Sequence, residues 1–263
     1  MQKLNIGGLA VDHLPAEGTK VLFVHGSNGG SWYWENYMRA FVEAGYSCYA
    51  MNLRGHHPNP DLGDELGKVS FYDYVKDLKT VLKELGNVIL IGHSMGGIIS
   101  QKACEDTPVL AAVFAASAPP DKVKFRIGTP WMLIVESIKN AKRIKNRLPL
   151  LPAWKPARKA ALNNMGEEEA KAAFARFVPE SCVAGIEIGQ DKIPVDLSKV
   201  KFPMLTIGAK NDKTAPWKME VDISKFHNTD LVLLENHGHM FMIEPGWEAT
   251  ARQMIDWLRS KKL

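Results

Sequence analysis

The chain has 263 residues, of which 46% are hydrophobic and 24% charged, with a formal net charge of +4. That is enough apolar residue for one large α/β domain with a buried core, and an ordinary charge content for a soluble protein. So mild a positive balance, with no recognisable nucleic-acid motif, argues against a nucleic-acid partner, and no apolar run approaches the ~18 residues of a membrane span.

The first eight residues, Met1-Gln2-Lys3-Leu4-Asn5-Ile6-Gly7-Gly8, lack a charged region followed by a long apolar one, so no signal peptide is expected. Residues 21–25 read as a buried strand, 31–44 as a helix that Gly45 stops, and 46–52 as the next strand. Across 70–85, Phe71, Tyr74, Val75, Leu78, Val81, Leu82 and Leu85 recur at helical spacing, with Ser70 and Asp73 suited to the start and Gly86 to the end. Strands over 88–91 and 110–116 bracket a helix from Met95. Later come a strand over 204–207, a helix near 217–226, a strand over 231–234 and a last helix near 247–258. Strands alternating with helices predict a doubly wound, mostly parallel sheet covered on both faces.

The stretch 119–196 breaks this rhythm. It holds prolines, basic residues and helical runs such as 129–147 and 167–177, with no buried strand. We read it as a helical cap inserted into a core formed by residues 1–118 and 197–263. From 119 to 200 there are 15 Lys and Arg against 9 Asp and Glu, so the basic surplus lies in the cap. The densest basic stretch, Lys139, Lys142, Arg143, Lys145 and Arg147, reads as a solvated helix face; attraction of an anionic substrate or membrane surface is the alternative. Cys48, Cys104 and Cys182 are odd in number and far apart, which suits a reducing, cytoplasmic compartment and offers no metal-ligand spacing.

Chemistry concentrates at Gly92-His93-Ser94-Met95-Gly96, a G-x-S-x-G turn between a strand and a helix. Such a turn forces the serine into a strained conformation that exposes its hydroxyl and brings the amide of Met95 beside it. A serine needs a base to act as a nucleophile, and the base needs a group that fixes its tautomer. Asp212 and His239 each follow a strand, in the order Ser, Asp, His that this arrangement uses. His237 competes with His239, and Asp121, after a different strand, competes with Asp212.

His25-Gly26, Asn52-Leu53-Arg54-Gly55-His56, Gly92-His93-Ser94-Met95-Gly96-Gly97, Gly208 with Asp212 and Pro216, and Gly238-His239 with Glu244 together resemble the α/β-hydrolase superfamily across essentially the whole chain. The resemblance implies Ser94 as nucleophile, His239 as general base and acid, and Asp212 as its orienting carboxylate. The family pattern, a histidine after glycine and five residues before a glutamate, favours His239 over His237. It also places a second oxyanion donor just after His25-Gly26, at the amide of Ser27, to act with that of Met95.

The run from His25 through Gly30, Trp32 and Trp34 is similar to the plant methyl esterase and hydroxynitrile lyase branch and to many bacterial esterases. Lyases of that branch carry a lysine after the catalytic histidine and a threonine near the first strand end. Here Met240 and Gly26 stand instead, which favours ester hydrolysis; Trp32 and Trp34 read as packing aromatics. The implied activity is hydrolysis of small carboxylic esters with an apolar portion, through an acyl-enzyme and without a cofactor or metal. The rivals are thioester or carbon–carbon hydrolysis, perhydrolysis or a lyase step on the same residues, and a receptor-type binding protein. Phe125, Trp131, Met132 and Leu133 could line an apolar pocket or form the cap's own core. Oligomeric state, a homodimer included, is left open.

Overall fold

The computed structural model of the chain describes residues 1–126, 128, 138–190 and 193–263. Eight strands form one sheet in the order β1-β2-β4-β3-β5-β6-β7-β8. They are β1 (Gln2–Ile6), β2 (Leu9–Leu14), β3 (Lys20–Val24), β4 (Ser47–Met51), β5 (Val88–His93), β6 (Ala111–Ala115), β7 (Met204–Ala209) and β8 (Asp230–Leu234). From β4 to β8 across the sheet every pairing is parallel, and β2 joins β4 antiparallel.

Side chains alternate across a strand, and here the alternation sorts the apolar residues into two cores. Phe23, Ile89, Ile91 and Val113 face one, and Leu22, Val24, Leu90 and Phe114 face the other. Helices α1 (Glu35–Glu43), α8 (Trp217–His227) and α9 (Trp247–Ser260) bury residues in the first core, and α2 (Phe71–Leu85) and α3 (Met95–Ala103) in the second. With both faces covered, all six residues of β5 are buried. The doubly wound parallel sheet expected from the alternation is the one observed.

Helix α2 starts where its sequence predicts: the Tyr72 amide donates to Ser70 Oγ at 3.2 Å, and the Ser70 amide to Asp73 Oδ2 at 3.0 Å. Its end is marked by Gly86 at φ 74°. The helix expected from residue 31 opens instead with a 3₁₀ turn, Ser31–Trp34, before α1 begins.

Between β6 and β7 the described residues form four short helices, α4 (Ala141–Lys145), α5 (Trp154–Lys159), α6 (Glu167–Phe174) and α7 (Cys182–Gly189). Leu150 and Glu180 pair as an isolated antiparallel bridge. Helix α6 ends at Phe174, three residues short of the expectation. Of the helix expected over 129–147, residues 129–137 lie outside the described residues, and Trp131, Met132 and Leu133 with them. Phe125 packs, partly buried, against the second core. Among the described residues no helix is long and apolar enough to cross a membrane.

Chain order along the sheet reverses at β3, which has β4 on one side and β5 on the other. In open α/β sheets the crevice beyond the strand ends at such a point is where ligands bind. The register pairs Val24 with Gly92, so the loop after β3 and the turn after β5 leave the sheet side by side.

Candidate active site

Ser94 sits between β5 and α3 with φ 55° and ψ −117°, a conformation unusual for a residue with a side chain. Close backbone approach sustains it. A Cβ on Gly96 would run into the carbonyl groups of Val24 and His25, and one on Gly26 would lie 2.8 Å from Ser94 Cβ. Only glycine lets the serine turn nest against the end of β3 this tightly.

His239 follows β8, and its Nε2 lies 3.1 Å from Ser94 Oγ. Its Nδ1 lies 2.8 Å from Asp212 Oδ2, in the loop after β7. The other carboxylate oxygen of Asp212 accepts from the amides of Thr214 at 2.7 Å and Ala215 at 2.8 Å, so the carboxylate has one orientation. A carboxylate accepts protons' hydrogen bonds only, which assigns the Nδ1 proton to the histidine and leaves Nε2 free to accept from the serine hydroxyl. Asp212 and His239 are both buried.

Glu244 fixes the histidine loop. Fully buried, it accepts the Gly238 amide at 2.8 Å and the Met240 amide at 3.2 Å, bracketing His239, and Asn164, from the stretch between β6 and β7, reaches it at 2.9 Å. His93 Nε2 donates to the His239 carbonyl at 3.0 Å. Burial, then the proximity of His239, holds the His93 pKa well below the ordinary histidine value, so this ring braces the loop as a neutral group.

Ser27 Oγ reaches Met95 Sδ at 3.4 Å, which puts the two expected oxyanion residues next to one another and to Ser94. Among the described residues neither amide donates to a partner. Such orphan donors, one of them at the start of α3, suit a developing negative charge.

The structure therefore brings together Ser94, Asp212, His239, Ser27 and Met95. It keeps the two competitors apart from that chain of contacts. His237 faces Glu244 at 3.5 Å, and the Asp121 amide donates to the Ile193 carbonyl at 2.9 Å. Trp34 is fully buried in the core, and Trp32 packs against Phe177, between β6 and β7, under the Arg176 guanidinium. Sequence reasoning passed over Tyr33, Asn28 and Glu180. Tyr33 was legible in principle as an aromatic beside Ser27, whereas nothing in the sequence connects Glu180 to a loop about 150 residues upstream.

A cavity of about 430 Å³ opens on Ser94 and His239, within the usual range for a small-molecule site. Leu150, Ala157, Phe177 and Met240 give it apolar walls. Phe125 is not among its lining residues. Among the described residues no cluster of His, Cys, Asp and Glu could hold a metal ion.

Comparison with known proteins gives one consistent picture. A model of an alpha/beta hydrolase family matches residues 21–253. Methylesterase 7 of Arabidopsis thaliana is 37% identical over 108 residues, 39% of this chain and 41% of that protein. The matched stretch thus spans about two fifths of the length of such curated relatives. Among solved structures, a thermophilic esterase from Thermogutta terrifontis superposes with a TM-score of 0.74 at 18% identity, covering 99% of both chains. A methylesterase from Arabidopsis does so with a TM-score of 0.72 at 17% identity, covering 92% of this chain and 99% of that one. Likeness at such identities is a likeness of fold.

Proposed function

The chain belongs to the alpha/beta hydrolase family, and on that premise we propose that it is a serine esterase cleaving small carboxylic esters with an apolar portion. The observation that carries the proposal is the unbroken line from Asp212 through His239 to Ser94, at 2.8 Å and 3.1 Å, ending at the wall of an apolar cavity. The resemblance of the chain to named esterases and methylesterases supports the same reaction class.

In this reading His239 Nε2 takes the Ser94 proton as Oγ attacks the ester carbonyl. The carbonyl oxygen becomes an oxyanion that the amides of Ser27 and Met95 receive. His239 then returns the proton to the leaving alcohol, and an acyl group remains on Ser94. Water, deprotonated by the same nitrogen, releases the acid. Asp212 stays ionised throughout and stabilises the imidazolium. The insertion over 119–196 serves as the cap that covers the cavity. A lyase reading is less favoured because Met240, an apolar side chain, follows His239 and faces the cavity.

A panel of p-nitrophenyl esters together with a fluorophosphonate probe tests the proposal. The expected result is turnover of short or medium acyl esters and labelling of Ser94. Labelling without turnover of any ester would give way to a specialised reaction such as thioester or carbon–carbon cleavage, and no labelling at all would remove the nucleophile.

A further inference from the structure

Where the cap meets the loop after β3, a buried cluster lies outside the line from Asp212 to Ser94. Glu180, just ahead of α7, is 5% exposed, and its carboxylate accepts four hydrogen bonds. Oε1 accepts from the Tyr74 hydroxyl at 2.6 Å and the Ser181 amide at 2.7 Å; Oε2 accepts from His56 Nε2 at 3.1 Å and the Asn28 amide at 3.3 Å. Four donors fill the capacity of a carboxylate, so Glu180 borders the cavity with no acceptor left for a substrate.

His56 is fully buried, with its Nε2 on this carboxylate and its Nδ1 3.1 Å from the Arg54 carbonyl oxygen. Both partners accept only, so both ring nitrogens donate and the ring is an imidazolium paired with Glu180. The neighbouring His25 is different. Its Nδ1 donates to the Gly26 carbonyl at 2.7 Å while its Nε2 accepts the Leu53 amide at 3.1 Å, which makes it neutral. The cluster thus holds one positive and one negative charge.

Glu180 and Tyr33 between them grip a single peptide unit. The Ser27 carbonyl accepts from the Tyr33 hydroxyl at 3.0 Å, and the Asn28 amide, the other end of that unit, donates to Glu180. Asn28 itself has φ 60° and is tied to the cap: its carbonyl accepts the Val178 amide at 3.0 Å, and its Nδ2 donates to the carbonyls of Val178 at 2.9 Å and Leu150 at 3.1 Å. The Ser27 amide lies in the preceding peptide unit, whose Gly26 carbonyl is held by His25 Nδ1 at 2.7 Å, so Ser27 is fixed from both sides: by His25 through its own peptide unit and by Glu180 and Tyr33 through the next.

We propose that Glu180, paired with His56, is a positioning residue that reaches from the cap to aim the Ser27 amide at the oxyanion. Oxyanion stabilisation then depends on the cap being seated. This rests on the serine esterase reading for its chemistry, while the clamp itself is independent of it. Glu180→Gln keeps the shape but turns an NH2 toward two of the four donors, which releases either the Asn28 and His56 side or the Tyr74 and Ser181 side.

The test compares native protein with Glu180→Gln and His56→Gln on a p-nitrophenyl ester, with n-butylboronic acid as tetrahedral mimic and N-methylhexanamide as unreactive ground-state mimic. Loss of a whole oxyanion donor is typically worth ~10²–10³ in kcat, so misdirection of one should cost about tenfold or more. The expected pattern is that fall in kcat with KM within about twofold, a matching loss of boronate affinity, and unchanged affinity for the amide. Equal losses for boronate and amide, or a rise in KM alone, would mean that Glu180 merely holds the cap together and would overturn the proposal.

Two further measurements stand if a variant folds poorly or no ester is turned over. In native protein, nitrogen NMR of His56 should show both ring nitrogens protonated at neutral pH; a neutral ring removes the pair. In Glu180→Ala, which removes both oxygens, hydrogen exchange should quicken at Asn28, whose amide Glu180 holds, and not at Gly238, whose amide Glu244 holds; no change at Asn28 overturns the clamp even where the esterase reading has failed for other reasons.

Discussion

Asp212 shows how much a single orientation decides. Its Oδ1 is committed to two backbone amides, and its Oδ2 to His239 Nδ1. An asparagine there would keep its oxygen toward Thr214 and Ala215 and present its NH2 to His239. Nδ1 would then have to accept, the ring proton would move to Nε2, and the base would be lost with the fold intact. Asp212→Asn should therefore lower kcat by up to ~10⁴ at nearly unchanged melting temperature; turnover within tenfold of native would transfer the role to Asp121. Gly26→Ala acts by contact instead, since the new methyl would lie 2.8 Å from Ser94 Cβ and 2.9 Å from His93 Nδ1. It should slow fluorophosphonate labelling of Ser94 by at least tenfold, and labelling at the native rate would show that the loop yields. The meeting of Ser94, Asp212 and His239 was legible in the sequence because Ser94 follows β5 at once and the other two lie in the loops just after β7 and β8, where a short loop leaves few places to point. Glu180 was not, because its partners Asn28, His56 and Tyr74 come from three segments that meet only in the folded chain.

At the scale of elements, legibility followed burial. Strands β3, β5 and β6 are apolar runs with no solvent side and stand out as such. The hairpin of β1 and β2 was missed, since its outer strand is largely exposed and carries Gln2, Lys3 and Asn5. Its signal was the turn, Gly7 and Gly8 at φ 61° and 80°, which a two-residue hairpin requires. Helix α2 was read correctly from Ser70 and Asp73, yet half of its N-terminal support comes from elsewhere. Glu187 of α7 accepts from Ser70 Oγ at 3.0 Å and from the Phe71 amide at 2.7 Å, placing a carboxylate at the positive end of the helix dipole. Glu187→Ala should cost ~1 kcal/mol of stability in urea unfolding, with kcat unchanged because the residue does not line the cavity. A fall in kcat with no loss of stability would instead make α7 a part of the reacting geometry.

Over the whole molecule, buried ionisable groups predict a stability maximum near the ordinary histidine pKa. Burial first of all depresses His25, to about 3, and His227, to about 4, and holds His93 well down. Each of these three stays neutral in the fold while the unfolded chain takes up a proton below 6.5, so stability is lost as pH falls. Two groups work in the opposite direction. Glu220, fully buried beside Asp212, has its pKa raised well above 4.5 by burial and then by that neighbour's charge. His56 is pushed down by burial, but the charge and hydrogen bond of Glu180 together with backbone hydrogen bonds outweigh this and raise it above 6.5. A raised group contributes its full stability below the unfolded value and loses it as pH rises through the folded one, so both weaken the fold on the alkaline side. Between about pH 5 and 6 proton uptake by the depressed histidines on unfolding outweighs the release from Glu220, so stability rises with pH. On the alkaline side the histidine uptakes fall away, and the releases from Glu220 and His56 pull the slope the other way. Urea midpoints from pH 5 to 8.5 should trace that dome, and Glu220→Gln should flatten its alkaline limb while steepening the acid one. A midpoint that climbs steadily to pH 8.5 would mean that Glu220 and His56 are not proton-holding in the fold, and an unaltered profile in Glu220→Gln would exclude the glutamate alone.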